Sequence, residues 1–217
     1  MRTDGELLKD VQAELQWDPT ISEQEIGVIV KDGVATLRGF ANTFPQKWAA
    51  QRAAERVSGL RAVADDLTVR LASMHERDDT SIAHAVANAL TWDVEVPHQK
   101  LAAQVSHGTV TLEGKVEWQY QRLAAERAIR YLTGVRSVVN RLLIVPSAVA
   151  ADAVQRIRAA LHRGAELEAR KIHVDASEGR ITLRGTVHSW AERQDIERAA
   201  WSTQGVTAVD DLITVSP

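Results

Sequence analysis

Three glycine pairs with one internal spacing divide this chain of 217 residues into three copies of a single unit. The members of each pair are six residues apart: Gly33 and Gly39, Gly108 and Gly114, and Gly179 and Gly185. The pattern recurs after 75 residues (33 to 108) and again after 71 (108 to 179). Self-similarity of this kind indicates one supersecondary unit that occurs three times.

Each unit begins with apolar residues at the i, i+3/i+4, i+7 spacing of an amphipathic helix. These residues are Leu7, Leu8, Val11 and Leu15; Ile82, Val86 and Leu90; and Val154, Ile157 and Leu161. Two segments with period-two alternation follow, joined by a dipeptide that ends in glycine: Asp32-Gly33, His107-Gly108 and Glu178-Gly179. Glycine supplies the positive φ of a two-residue hairpin turn. A second helix and a last alternating strand complete each unit.

The sequence therefore predicts an α+β fold of three tandem αββαβ units. Each unit is expected to hold a three-stranded mixed sheet with two helices on one face, because a right-handed β-α-β connection makes the last strand parallel to the second. The second glycine of each pair falls on the inward face by parity. We expect its missing side chain to let the second helix approach the sheet closely.

The repeated motifs resemble those of the BON domain (bacterial osmotically inducible and nodulation domain). The hairpins read DGVATLRG, HGTVTLEG and EGRITLRG, and the units close with GLRAVADDLTV, GVRSVVNRLLIV and GVTAVDDLITV. The resemblance places three domains at residues 1–72, 76–147 and 148–217. It implies a stress-related binding protein without catalytic activity that associates with phospholipid surfaces.

Composition and chain start bear on partners and compartment. The net charge of -3 argues against a nucleic-acid partner, because such domains are usually basic. No run approaches the roughly 18 apolar residues of a membrane span. The opening MRTDGELLKDVQ is acidic and lacks a signal-peptide core, so a chain starting at Met1 is expected in the cytoplasm. This departs from the exported members of the family.

No catalytic, cofactor or metal site is predicted. The histidines are scattered, without a metalloprotease-like i, i+4 pair, and no nucleophile elbow occurs. Asp65, Asn140 and Asp211 share one position on the last strand, which we place on its outward face. They are expected to bond local backbone groups rather than to act as paired catalytic carboxylates.

Six tryptophans admit two interpretations. Each indole either caps a small core or lies at an interface between apolar and aqueous phases. Trp17 and Trp92 occupy equivalent positions, each followed by aspartate at the end of a first helix. These two residues are candidates for a surface that contacts lipid or a partner.

Three arginines at one position of the second helices, Arg52, Arg127 and Arg198, are further candidates. They either form local ion pairs on a solvated face or meet phosphate or carboxylate groups of a partner. Ile29 and Phe40 point away from the helices by parity, where the other units carry polar residues. We expect a neighbouring unit, a second chain or a ligand to cover them.

Two functions follow from these observations. The first is binding to an anionic phospholipid surface, which rests mainly on the family resemblance. The second is a soluble module that binds a protein or polymer without lipid. Weak binding to anionic lipid is expected in the first case, because the chain has no strongly basic patch.

Overall fold

The computed structural model describes residues 2–22, 25–145, 172–177, 179–203 and 205–215. The first unit contains α1 (Asp4–Trp17), β1 (Ile26–Lys31), β2 (Val34–Ala41), α2 (Phe44–Glu55) and β3 (Ala62–Val69). The second contains α3 (Asp79–Trp92), β4 (Leu101–Ser106), β5 (Thr109–Val116), α4 (Gln119–Arg130) and β6 (Ser137–Ile144). The third contains β7 (His173–Ser177), β8 (Arg180–Val187), α5 (Trp190–Trp201) and β9 (Ala208–Val215). Its predicted first helix lies outside the described residues.

Each unit has one three-stranded sheet of the predicted topology. The first two strands pair antiparallel and the second and third pair parallel, in the order β1-β2-β3, β4-β5-β6 and β7-β8-β9. In the first hairpin Lys31 pairs with Val34, so the turn has two residues. Asp32 and Gly33 both have positive φ, 52° and 76°, which is the conformation of a type I′ turn. The α+β prediction is therefore confirmed.

A carboxylate at the start of the first helix fixes the hairpin turn. Asp4 accepts hydrogen bonds from the amides of Asp32 and Gly33, at 2.8 and 2.9 Å. In the second unit Asp79 accepts from the amides of His107 and Gly108 at the same two distances. These two bonds lower the pKa of Asp79, and the bond from the Gly108 amide has the larger effect. The turn and the helix are thereby held in one register.

The second glycine of each pair makes room for backbone rather than for a helix. A Cβ at Gly114 would lie 2.4 Å from the carbonyl oxygen of Lys100, just before β4, and a Cβ at Gly39 would lie 2.1 Å from that of Glu25. Both glycines have positive φ, 134° and 109°. The expectation that the second helix makes this close approach was wrong, because the nearest atoms belong to the neighbouring chain segment that enters the first strand.

The helices pack on one face of each sheet through small side chains. Buried alanines line the inner face of α2 (Ala50, Ala53 and Ala54) and of α4 (Ala124 and Ala125). Leu37 and Leu112 of the central strands are fully buried beneath them. Each unit therefore has its own core, and alanine allows the second helix to lie close to the sheet.

The shared polar position of the last strand faces the second helix. Asp65 accepts the Leu67 amide at 3.0 Å, and its other carboxylate oxygen lies 3.2 Å from Lys47 Nζ of α2. Asp211 accepts the Ile213 amide at 3.0 Å and pairs with Arg193 of α5 at 2.6 Å. The predicted local backbone bond is present, but the outward placement was wrong. These residues share the parity of the buried positions, where an ion pair with the helix satisfies their charge.

The units contact one another through their second helices. Trp190 of α5 donates its indole N–H to the carbonyl oxygen of Leu60 at 3.1 Å. Gln194 Nε2 donates to a Glu55 carboxylate oxygen at 2.7 Å. In the first half of α2, the Trp48 ring centre lies 3.9 Å from the Arg130 guanidinium of the second unit. Helix α2 of the first unit is thus in contact with both other units.

Candidate binding surface

Trp17 and Trp92 project from equivalent places in the first two units. Each is the last residue of the first helix of its unit, and each is 84% exposed. Leu15 and Leu90, two positions earlier, are buried. Two residues advance a helix by about 200°, so burial of the leucine turns the indole to the opposite side, towards solvent. The core-capping interpretation is therefore wrong for these two tryptophans.

An anchored turn holds each exposed indole in place. The Asp18 side chain accepts hydrogen bonds from the hydroxyl and amide of Thr20, at 2.6 and 3.0 Å. These two bonds, the hydroxyl more than the amide, lower the pKa of Asp18. Ile21 then returns to the core. The turn that follows Trp17 is therefore fixed by the Asp18 hydrogen bonds and by the burial of Ile21.

The second unit repeats this turn with different chemistry. Asp93 accepts the Glu95 amide at 2.9 Å, and Val96 is buried as Ile21 is in the first unit. Val94 lies exposed between them, beside Trp92. The two neighbouring apolar side chains form a tip at the end of α3, which we call the Trp92 tip (Trp92 and Val94).

The charge near the two tryptophans differs. Helix α1 carries Asp4, Glu6, Asp10 and Glu14 against Lys9, whereas Asp79 is the one acidic or basic residue of α3 besides His84. Asp93 and Glu95 flank Val94 in the Trp92 tip, and His98 and Lys100 follow it in the sequence. An anionic surface is therefore repelled less by the second unit than by the first.

The four other tryptophans are half-buried: Trp48, Trp118, Trp190 and Trp201. Trp190 packs against the core of the first unit, and Trp201 packs against the core of the third. Trp48 lies between two guanidiniums, those of Arg130 and Arg52, the latter 5.7 Å from its ring centre. Packing explains these three residues, and the ring centre of Trp118 lies 6.2 Å from that of Tyr120.

The three candidate arginines are all ion-paired. Arg52 lies 3.8 Å from Glu55, and Arg198 lies 3.0 Å from Asp195 on the same helix. Arg127 reaches Glu95 at 2.6 Å and so joins α4 to the turn that follows the Trp92 tip. This local pairing favours the interpretation that the three arginines lie on a solvated face. Arg127 is the member whose ion-pair partner, Glu95, directly follows the Trp92 tip in the sequence.

Ile29 and Phe40 lie on the sheet face away from the helices. Ile29 pairs with Thr36 across the hairpin and is 50% exposed. Phe40 is half-buried beneath Arg70, whose guanidinium lies 3.6 Å from the ring centre. A side chain of its own unit covers Phe40, so cover by a partner remains a prediction for Ile29.

Within the described parts of the chain, no group of three histidine, aspartate or glutamate side chains is placed to hold a metal ion. An open cleft of about 800 Å³ lies between the turn end of the first unit and the strand ends of the third, with Arg2, Arg61, Thr186 and Thr214 among its lining residues. No helix in the described ranges is both long and apolar enough to cross a membrane.

Three units that share one three-stranded sheet topology, each with a helix between its second and third strands, define a tandem-repeat protein. The family model described as "BON domain" matches residues 3–70, 78–146 and 150–217. The chain therefore belongs to the BON-domain family, as its motifs predicted. The exposed tryptophans are features of this chain that the glycine and valine pattern of the motif does not contain.

One relative and two solved structures place the chain among known proteins. It is similar to the osmotically-inducible protein Y of Escherichia coli (strain K12), with 31% identity over 143 residues that cover 64% of this chain and 71% of that protein. A structure of CdsD, a structural protein of the type III secretion system of Chlamydia trachomatis, aligns over 98% of this chain and 93% of its own with 15% identity and a TM-score of 0.27. The PrgH periplasmic domain aligns over 89% and 96% with 10% identity and a TM-score of 0.22. Scores this low support no conclusion about function.

Proposed function

We propose that the chain is a non-catalytic, stress-related binding protein that contacts anionic phospholipid surfaces through Trp17 and the Trp92 tip. The observation that carries the proposal is the equivalent placement of two strongly exposed indoles at the ends of α1 and α3. An indole suits the boundary between headgroups and acyl chains, because its ring is apolar and its N–H reaches a polar acceptor. The name of the Escherichia coli relative supports a role in osmotic stress.

The second unit is expected to make the larger contribution. Its tip adds Val94 to the buried apolar area, and its helix carries fewer carboxylates than α1. A tryptophan that buries part of its ring contributes about 1–2 kcal/mol at about 25 cal/mol per Å². Loss of Trp92 is then expected to weaken lipid binding about tenfold, since 1.4 kcal/mol is one factor of ten.

Co-sedimentation with phosphatidylglycerol vesicles tests this proposal, with phosphatidylcholine vesicles for comparison. Trp92→Ala is expected to reduce the bound fraction more than Trp17→Ala does, and high salt is expected to have a modest effect because a chain with a net charge of -3 is attracted only weakly to an anionic surface. Both substitutions remove exposed side chains, so the thermal unfolding temperature should stay unchanged. Equal binding by wild type and the double variant would contradict the proposal.

Binding of a protein partner is the second candidate function, and one surface favours it. Val139 and Leu143 of β6, and Val145 directly after it, are exposed at positions that alternate with the buried side of the strand. Exposed apolar residues along an edge strand mark a surface suited to another protein. Leu143→Ala is therefore the matched control for the vesicle assay, because it removes an exposed apolar side chain far along the chain from either tryptophan. Loss of vesicle binding in this variant alone would favour the sheet face.

A further inference from the structure

The two contacts between units use equivalent positions. Phe44 and Trp190 each stand at the start of a second helix, and each packs against the core of another unit. Trp190 donates to Leu60 of the first unit, and Phe44 lines a groove with Val135, the equivalent of Leu60 in the second unit. The third unit therefore docks on the first as the first docks on the second.

A second pair of positions repeats in both contacts. Gln194 of the third unit bonds Glu55 of the first, and Trp48 of the first unit lies under Arg130 of the second. Gln194 and Trp48 are equivalent residues, one turn after the docking aromatic. Glu55 and Arg130 are likewise equivalent, at the ends of α2 and α4. Both contacts thus join the first half of one second helix to the end of another.

The second unit carries the equivalent face with an amide, Gln119, at the position of Phe44 and an aliphatic side chain, Leu123, at the position of Trp48. Leu123 is 46% exposed and Tyr120 beside it is 52% exposed. The matching end belongs to the third unit, where Trp201 takes the place of Glu55 and Arg130.

We propose that the docking face of α4 (Tyr120 and Leu123) binds the end of α5 in a second copy of this chain. The pair brought together would be Leu123 and Trp201. Each pair of equivalents is then chemically matched: amide with carboxylate, aromatic ring with guanidinium, and aliphatic chain with indole. A contact of this kind joins unlike surfaces of two copies, so it is a head-to-tail association.

The exposure of Tyr120 and Leu123 favours a second copy, rather than the third unit of the same chain, as the partner of this face. Tyr120 and Leu123 keep about half of their surface open in the single chain, although its third unit is docked on the first. Apolar residues that extend a contact already used twice in the molecule are the natural place for a further copy of the same partner. The association is weak in a single contact and rises with protein concentration.

Sedimentation equilibrium of the full chain tests the proposal from micromolar to millimolar concentration. The mean mass should rise with concentration for wild type. Leu123→Glu is expected to weaken association at least tenfold, because it places a carboxylate in an apolar contact. Met74→Glu is the matched control, since Met74 is 73% exposed in the segment Ser73–His75 and lies outside the docking face, and it should behave as wild type. A constant monomer mass for wild type, or equal weakening by both variants, would overturn the inference.

Cysteine cross-linking separates the two sources of the docking partner, because the chain has no cysteine of its own. Tyr120→Cys and Ser202→Cys introduce thiols at the equivalents of Pro45 and Tyr131, which line one groove between the first and second units. Mixing the two single variants under mild oxidation should give a cross-linked dimer. A double variant that instead cross-links only as a monomer would show that the third unit of the same chain fills the face, and this overturns the second-copy assignment.

Discussion

Replacing Gly114 with alanine places one methyl carbon where the structure has a backbone carbonyl. The Cβ would lie 2.4 Å from the Lys100 oxygen and 3.1 Å from the Leu101 Cα, both backbone atoms that side-chain rotation cannot move. The φ of 134° is also one that residues with a Cβ rarely adopt. Strain at such a backbone conformation costs about 1–3 kcal/mol, and overpacking adds about 1–3 kcal/mol. We expect a loss of about 2–6 kcal/mol in the free energy of unfolding of the second unit.

Urea unfolding followed by circular dichroism measures this loss, and hydrogen exchange by mass spectrometry locates it. Peptides from β4 and β5 should lose protection before those of the first unit. Valine at Gly114 is expected to cost at least as much as alanine, since overpacking grows with volume.

Gly27→Ala is the matched control, because Gly27 also lies in a paired strand but its added Cβ would meet only the Arg38 oxygen at 3.8 Å. Its stability should stay within about 0.5 kcal/mol of wild type, as for an ordinary surface substitution. If Gly114→Ala and Gly27→Ala unfold at the same urea concentration, the close approach at Gly114 does not constrain the fold.

Three further predictions concern other contacts. Trp48→Ala should cost about 1–3 kcal/mol in urea unfolding, because the largely buried Arg130 loses the ring beneath it. Asp79 has a lowered pKa, so its native form binds fewer protons than the unfolded chain; stability should fall as pH drops below about 4, and Asp79→Ala should flatten that part of a pH series of melting temperatures. Phe40→Ser should lower the melting temperature through loss of its contact with Arg70, and a fall in association as well would show that a partner covers this sheet face.

Local patterns in the sequence were sufficient to predict the helices and strands and the register of the hairpins. The dipeptide at Gly33 predicted a two-residue turn, and the turn then fixed Val30 opposite Ala35 and Val28 opposite Leu37, as observed. These features depend on φ preferences and period-two alternation, which are properties of short segments. Their repetition three times made the αββαβ order readable.

Contacts between residues that are distant in the sequence could not be predicted in this way. Parity placed Gly114 inward correctly but did not show that the neighbour is the Lys100 carbonyl rather than a helix. The exposure of Trp17 could have been predicted from the sequence, because Leu15, two positions earlier, belongs to the buried face of α1. Contacts such as Trp190 with Leu60 join residues 130 positions apart and carry no local pattern.

Each contact between units uses different side chains at equivalent positions, so each unit is matched to one particular partner unit. A first unit that met the end of another first unit would set the electron-rich face of Trp48 against the carboxylate of Glu55, which repels it. A third unit on a second would leave Arg130 facing the amide of Gln194, with neither a ring nor an opposite charge on the other side. Wrong pairing between similar copies is a common failure of repeat proteins during folding. Here the mismatch disfavours it, so three copies of one unit assemble in a single order.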